Sequence, residues 1–362
     1  MLGERLKLAR KKAGFSMDAL VEKLNGEITK QSLSKYERNL MMPGSRVLSR
    51  LCKVLDVSLE FMMSSEVVAL KGVDFRTKSN TTAKARAQVE ATVIEHAERY
   101  LAIEEILGEE AAGCWVDVER RSLRTEEEAE ELAAELRRQW DLGQDPIPNL
   151  TALLEDLGLK VLMLDLPPSV SGLTCHVQRE AGDDVPVIVA NRKENVERRR
   201  MTLAHELFHR LAEVPKDASI REERTMNRCA GAFLMPRQYI VAELGEHRAK
   251  ISYSELCSLK HRFGVSITAL IVRLGQLNVL SEGAVGMLFR GPAREWRKNE
   301  PDPIQEPKGA PYEQPERFSR LCYRAFSEQY ISRTKIMELL QMPYEEIAVA
   351  MNGPALHANH SQ

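Results

Sequence analysis

The segment Arg200-Met-Thr-Leu-Ala-His-Glu-Leu-Phe-His209 carries two histidines four residues apart, with a glutamate directly after the first. On a helix that spacing stacks the two imidazoles on one face, a turn apart, where both reach a single Zn²⁺. Glu206 is rotated too far round to share the ion comfortably, but stands where a general base can take a proton from a metal-activated water. Leu203, Ala204, Leu207, Phe208 and Leu211 make the rest of this helix apolar. Two imidazoles buried among them without a metal would need other polar partners.

A catalytic zinc needs a third protein ligand and an open fourth position. The best source is a second helix, Arg221-Glu-Glu-Arg-Thr-Met-Asn-Arg-Cys-Ala-Gly-Ala-Phe-Leu-Met-Pro236. Glu223 and Asn227 share a face, so one could bind metal while the other orients a ligand histidine. Periodicity does not single out Glu223. Glu222 lies as near the apolar face of Met226, Cys229 and Phe233, and residues 221–224 also read as a solvated charge run.

Both helices follow three β-prone runs, Lys160-Val-Leu-Met-Leu-Asp165, Gly172-Leu-Thr-Cys-His-Val177 and Val185-Pro-Val-Ile-Val-Ala190. They predict a small sheet. Pro186 suggests that the third run is an edge strand, along which an extended substrate could add. Helical periods cover 194–212, 219–234 and 256–277, and two acidic helices fit between Ile94 and Trp140. Tyr239, His247 and Tyr253 are conceivable oxyanion partners, and none stands out.

Together the motifs resemble the ImmA/IrrE family of regulatory zinc peptidases over roughly residues 95–275. The residues that carry the resemblance are H-E-L-F-H, then E-R-T-M-N-R-C-A-G-A-F-L-M-P, with a Ser171-Gly172-Leu173 turn and Val189-Ala190-Asn191 ahead. The resemblance implies a zincin-like, gluzincin-type endopeptidase with Zn²⁺ held by His205, His209 and Glu223. It makes Glu206 the base and Asn227 the residue that orients a ligand. Met226 and Cys229 depart from the family's usual Ala and Phe, and a thiol at 229 could capture zinc unproductively or be oxidised.

The first 65 residues carry 12 Lys or Arg against 7 Asp or Glu, whereas 95–140 carries 6 against 14. A basic module beside an acidic one suggests a nucleic-acid contact at the start of the chain. Five short helices fit there, with Ser16 as the N-cap of the second, Thr29 or its neighbour starting the third, and a tight connection at Asn25-Gly26-Glu27. The third helix would present Lys30, Gln31, Ser32 and Lys35 to a major groove. Leu33-Ser-Lys-Tyr-Glu-Arg-Asn39, Pro43 and Leu51-Cys-Lys-Val-Leu-Asp-Val-Ser-Leu59 are similar to the Cro/C1-type (Xre) helix-turn-helix family. Asn39 replaces a usual Gly and Met17 a common Gln, and the turn at Gly26 is one residue longer. That resemblance implies double-stranded DNA as a partner and allows a homodimer.

The expected fold is α+β and mostly helical. It comprises a five-helix reader (1–65), a linker (66–92), a peptidase domain with leading acidic helices (93–280), a Pro-rich linker (281–315) and a helical segment (316–362). The second linker holds six prolines between Pro292 and Pro315. Near-zero net charge (51 basic, 53 acidic), single scattered cysteines and no apolar run near membrane length point to a cytoplasmic protein. The functional expectation is a DNA-tethered zinc endopeptidase that cleaves a transcriptional repressor or antitoxin-like protein. The alternatives are a DNA-binding regulator or antitoxin whose metal site is structural or vestigial, and a protease that cuts its own linker between Val68 and Thr92.

Overall fold

The computed structural model describes residues 2–63, 69–77, 82–108, 120–178, 184–306 and 312–353. Cys114 and parts of both expected linkers lie outside the described residues. The chain begins with α1 (Leu2–Lys12), α2 (Met17–Lys23), α3 (Lys30–Glu37), α4 (Ser45–Leu55) and α5 (Leu59–Met63). Ser16 and Thr29 cap α2 and α3 as their types predict, accepting from the amides of Ala19 and Ser32. Leu6, Ala9, Leu20, Leu24, Leu33 and Leu51 close one small core. Asn39 takes φ 56°, the left-handed turn that Asn tolerates, and its side-chain oxygen accepts from the Gly3 amide at 2.7 Å. A Cβ at Gly3 would stand 2.3 Å from the Tyr36 carbonyl, so glycine is what lets α1 lie against the end of α3. A bidentate Arg10–Glu37 pair at 2.6 and 2.9 Å locks the same two helices.

After the reader come β1 (Ala69–Thr77), α6 (Ala83–Leu107), β2 (Arg121–Ser122), α7 (Glu126–Gln139) and α8 (Leu150–Asp156). Then follow β3 (Lys160–Leu164), β4 (Val170–Gln178), β5 (Val185–Asn191), α9 (Val196–Leu211), β6 (Ala212–Glu213), α10 (Glu222–Leu234) and α11 (Arg237–Leu244). The chain continues through α12 (Tyr253–Phe263), α13 (Ile267–Gln276), α14 (Glu282–Arg290), α15 (Ala293–Trp296), α16 (Arg317–Ser327), α17 (Arg333–Leu340) and α18 (Tyr344–Asn352).

Among the described residues the main sheet runs β1-β4-β5-β3, antiparallel except for the β3/β5 pair. Side chains alternate across it. Leu173, Cys175, Val177, Val187 and Val189 join Val93 and Tyr100 of α6 and Leu321 and Ile336 of the last helices in one core. Val161, Met163, Ile188 and Ala190 face the other way, onto Leu203, Leu207 and Phe208 of α9. Helices therefore cover both faces, which is why the strands read as near-continuous apolar runs. No helix among the described residues is long and apolar enough to cross a membrane.

Five expectations need correction. The 66–92 linker instead supplies β1 and the first turns of α6; a register shift between Lys71 and Asp74, with Gly72 at φ 58°, breaks the period that would have marked the strand. The linker read as open to self-cleavage thus has its 69–77 backbone paired with β4. β5 is interior, between β4 and β3, and Pro186 is tolerated because pairing with β3 begins only at Val187. The 171–173 segment is strand, not turn. Finally, the Pro-rich stretch is packed: α14 and α15 stand on the core, and of the residues beyond, Glu300 pairs with Lys260 of α12, while Glu306 and Glu313 pair with Arg199 and Arg200 of α9. Carboxylates rather than apolar periodicity hold it there.

Candidate metal centre

Asn195 starts α9 by accepting from the Arg198 amide, and the helix runs straight into β6, which pairs with β2. The Arg120 guanidinium donates to the carbonyls of Ala212 and His209, at 3.0 and 3.2 Å, and fixes that end. Along the helix, Glu197, Arg199 and Arg200 are buried yet paired. Lys260 bonds Glu197, Arg199 bonds Glu306, and Arg200 bonds Glu313. Glu313 also accepts from the Leu150 and Thr151 amides at the start of α8, at 2.8 and 2.9 Å. Arg210 ties the last turn to β4 through the Thr174 hydroxyl and the Cys175 carbonyl.

β4 presses on α9 at Gly172. A Cβ there would lie 2.5 Å from Thr202 Cγ2 and 2.6 Å from the Val189 carbonyl, with Glu206 Cγ at 3.7 Å. The bare backbone of Gly172 is what lets the strand pass beside the glutamate.

On this frame the imidazoles of His205 and His209 come together, Nε2 to Nε2, at 2.9 Å. The Glu223 carboxylate faces both, its Oε2 3.5 Å from His205 Nε2 and its Oε1 3.5 Å from His209 Nε2. The three ligand atoms fall within 4.8 Å of one another, the one such grouping of three among the described residues. Donors about 2 Å from a tetrahedral zinc stand roughly 3.3 Å apart, so two imidazoles and a carboxylate at these separations suit the ion in both chemistry and spacing. Glu222 offers an oxygen only to His209 Nδ1, at 4.0 Å. Between the two acids, geometry thus favours Glu223. His205 and Glu206 are buried, whereas the Glu223 side chain is 66% exposed, so the site opens on the α10 side.

α10 has no side-chain cap, but Glu222 and Glu223 in its first turn suit the positive end of its dipole. The acidic helix α7 holds it: Arg228 pairs with Glu126 and Glu130, and Glu130 takes both guanidinium nitrogens of Arg273 at 2.6 and 2.8 Å. The Asn227 amide donates to the Glu223 carbonyl at 2.6 Å, steadying the turn that carries Glu223. Cys229 does not join the site. It sits in the core, where burial, then Glu130, pushes its thiol up to about 12. Tyr239 accepts from Arg262, His247 faces the Asn278 carbonyl and Tyr253 lies against Trp296, so all three are engaged away from the imidazoles. A polar cleft of about 1300 Å³ opens beside Glu223, lined by α10, α13 and α14. Sequence reasoning missed α14, whose contribution rests on packing alone.

In the reader, Lys30, Gln31 and Lys35 project from α3 into solvent. Lys30 also pairs with Asp18 at 2.7 Å, and Ser32 turns back to the Thr29 hydroxyl at 3.0 Å.

Residues 6–62 match the family model described as helix-turn-helix, and residues 154–275 match that of the IrrE N-terminal-like domain, Peptidase M78. Among curated proteins, the chain is similar to the HTH-type transcriptional regulator ImmR of Bacillus subtilis (strain 168), 39% identical over 70 residues, which are 19% of this chain and 54% of that protein. It is similar also to the HTH-type transcriptional regulator SinR of Bacillus licheniformis, 37% identical over 67 residues, 18% of this chain and 59% of that one. The chain thus spans between half and three fifths of the relatives it matches. The five-helix reader is thus the region that matches the helix-turn-helix family, and the histidine-bearing helix against a mixed sheet lies in the region that matches the IrrE N-terminal-like domain of Peptidase M78.

Proposed function

We propose that the protein is a DNA-tethered regulatory zinc endopeptidase whose substrate is a transcriptional repressor or antitoxin-like protein. His205, His209 and Glu223 would hold the ion, and Glu206 would be the base. The observation that carries this reading is the convergence of the two Nε2 atoms and the Glu223 carboxylate within 4.8 Å on a face open to solvent. Zinc bound there supplies Lewis acidity, polarising the substrate carbonyl and acidifying water. The chain's own residues do the rest. Glu206, buried one residue from His205, takes the proton of the attacking water and returns it to the amine as the C–N bond breaks. The water oxygen ends on the new carboxylate. Gly172 lies beside the Glu206 stem, and the Asn227 side-chain amide steadies the turn bearing Glu223.

The reader supplies the address. Exposed Lys30, Gln31 and Lys35 on α3 fit major-groove recognition, Gln pairing with adenine and Lys with guanine or phosphate. The test combines metal content by mass spectrometry with cleavage of co-encoded regulators. Wild type and Glu222→Ala should retain about one zinc per chain, whereas His205→Ala and Glu223→Ala lose it. A zinc-loaded Glu206→Gln protein that still relieves repression fully would overturn the catalytic reading in favour of a regulator with a structural metal.

A further inference from the structure

The face of α10 that bears Glu223 continues at four-residue steps through Asn227, Gly231 and Met235, and the face of α9 that bears the histidines begins one turn earlier with Met201. The two stripes, with Val272 of α13 and Phe289 of α14, enclose a mainly apolar hollow of about 320 Å³. Its place is set by the helices, one turn of roughly 5.4 Å from His205 on one side and from Glu223 on the other. Asn227 lies on the boundary, lining both this hollow and the polar cleft that opens at Glu223. The volume exists because residue 231 has no side chain. A Cβ there would meet nothing nearer than 3.9 Å, so the helix would accept a larger residue and the packing leaves space.

We propose that this hollow receives an apolar side chain of the substrate, of leucine, methionine or phenylalanine size, on a residue flanking the bond that is cut. The inference rests on the peptidase reading above and deepens it. An extended chain lying over Glu223 and Asn227 has successive side chains pointing opposite ways, so one adjoining the reacting carbonyl turns into the hollow while the polar cleft holds its neighbours. Met201, Met235, Val272 and Phe289 offer it apolar contact, and the methionines can repack around side chains of different shape.

The experiment pairs a cleavage readout with one that needs no catalysis. Zinc-loaded protein is incubated with a random peptide library, and the residues at the new termini are read by mass spectrometry. In parallel, N-acetyl-L-phenylalaninamide and N-acetylglycinamide are titrated by ligand-observed NMR against wild type, Glu206→Gln and Gly231→Leu. Wild type should favour Leu, Met or Phe over Ala at one flanking position by roughly 10- to 200-fold in kcat/KM. Gly231→Leu, which fills the hollow, should reverse that preference towards Ala and Ser and lose phenylalaninamide binding at least tenfold, while Glu206→Gln binds as wild type does. Gly231→Ala checks folding, since its methyl meets only ordinary contacts. Cleavage without any apolar preference, or equal binding of the two amides, overturns the pocket and leaves the peptidase standing. Selective binding blocked by Gly231→Leu, with no peptide cut at all, upholds the pocket and overturns the hydrolase.

Discussion

At the scale of single residues, the proposed site is two imidazoles and one carboxylate, with Glu206 beside them as the proposed base. Glu206→Gln should keep zinc and lose roughly 10²- to 10⁴-fold in cleavage rate, read by single-turnover kinetics beside metal analysis. Gly172→Ala should destabilise the fold by about 1–3 kcal/mol in urea melts, because its methyl has backbone on one side and Thr202 on the other. On the reader, Gln31→Ala should relax preference for one base by about 1–3 kcal/mol, whereas Lys35→Ala should weaken all sequences alike and lower the salt slope by about 1. The pair His205 and His209 was legible because helical spacing forces it. Glu223 was not separable from Glu222 by period, since both flank the apolar stripe of α10, and the separation emerges only where α10 crosses α9.

At the scale of elements, α9 is held by partners the sequence hid. Glu313 serves Arg200 and the first amides of α8 at once, so Glu313→Gln leaves a buried guanidinium short of its counter-charge. Urea unfolding should show a loss of about 3–5 kcal/mol. The Pro-rich text around it gave no apolar period, and three acids recruited by Lys260, Arg199 and Arg200 have no local signature. Strands β3, β4 and β5 were visible, as were the caps of α2 and α3, because those are local chemistry. In α6, burial above all, then the charges of Arg99, Lys12 and Arg192, holds the His96 imidazole down at about 3 from its ordinary 6.5. An unfolded chain would take up that proton near pH 6.5, while the folded one would not until about 3. Stability should therefore fall as pH drops through that window, by at most about 1.4 kcal/mol per pH unit. His96→Gln should flatten the fall, measured as the urea midpoint at about pH 5 against about pH 7.5.

At the scale of the whole molecule, the reader is not strung loosely ahead of the rest. Arg5 and Lys12 of α1 pair with Glu98 and Glu95 of α6, and Glu95 also accepts from Gln341, just past α17, at 2.9 Å. One helix is thus bonded to the reader on one side and to the last helices on the other, while its apolar face lies on the sheet. No composition shift announces such an arrangement, because charged residues on a long helix read as solvated until their partners are known. A chain begun at residue 93, where the acidic helices read as the start of a domain, would lack β1 and leave the outer hydrogen bonds of β4 with nothing to pair. Such a fragment should recruit strands from its neighbours and precipitate, and one begun at residue 66 should stay monodisperse by light scattering. The residues that join the reader to the histidine-bearing domain are also the selvedge that keeps the sheet from unravelling into its fellows.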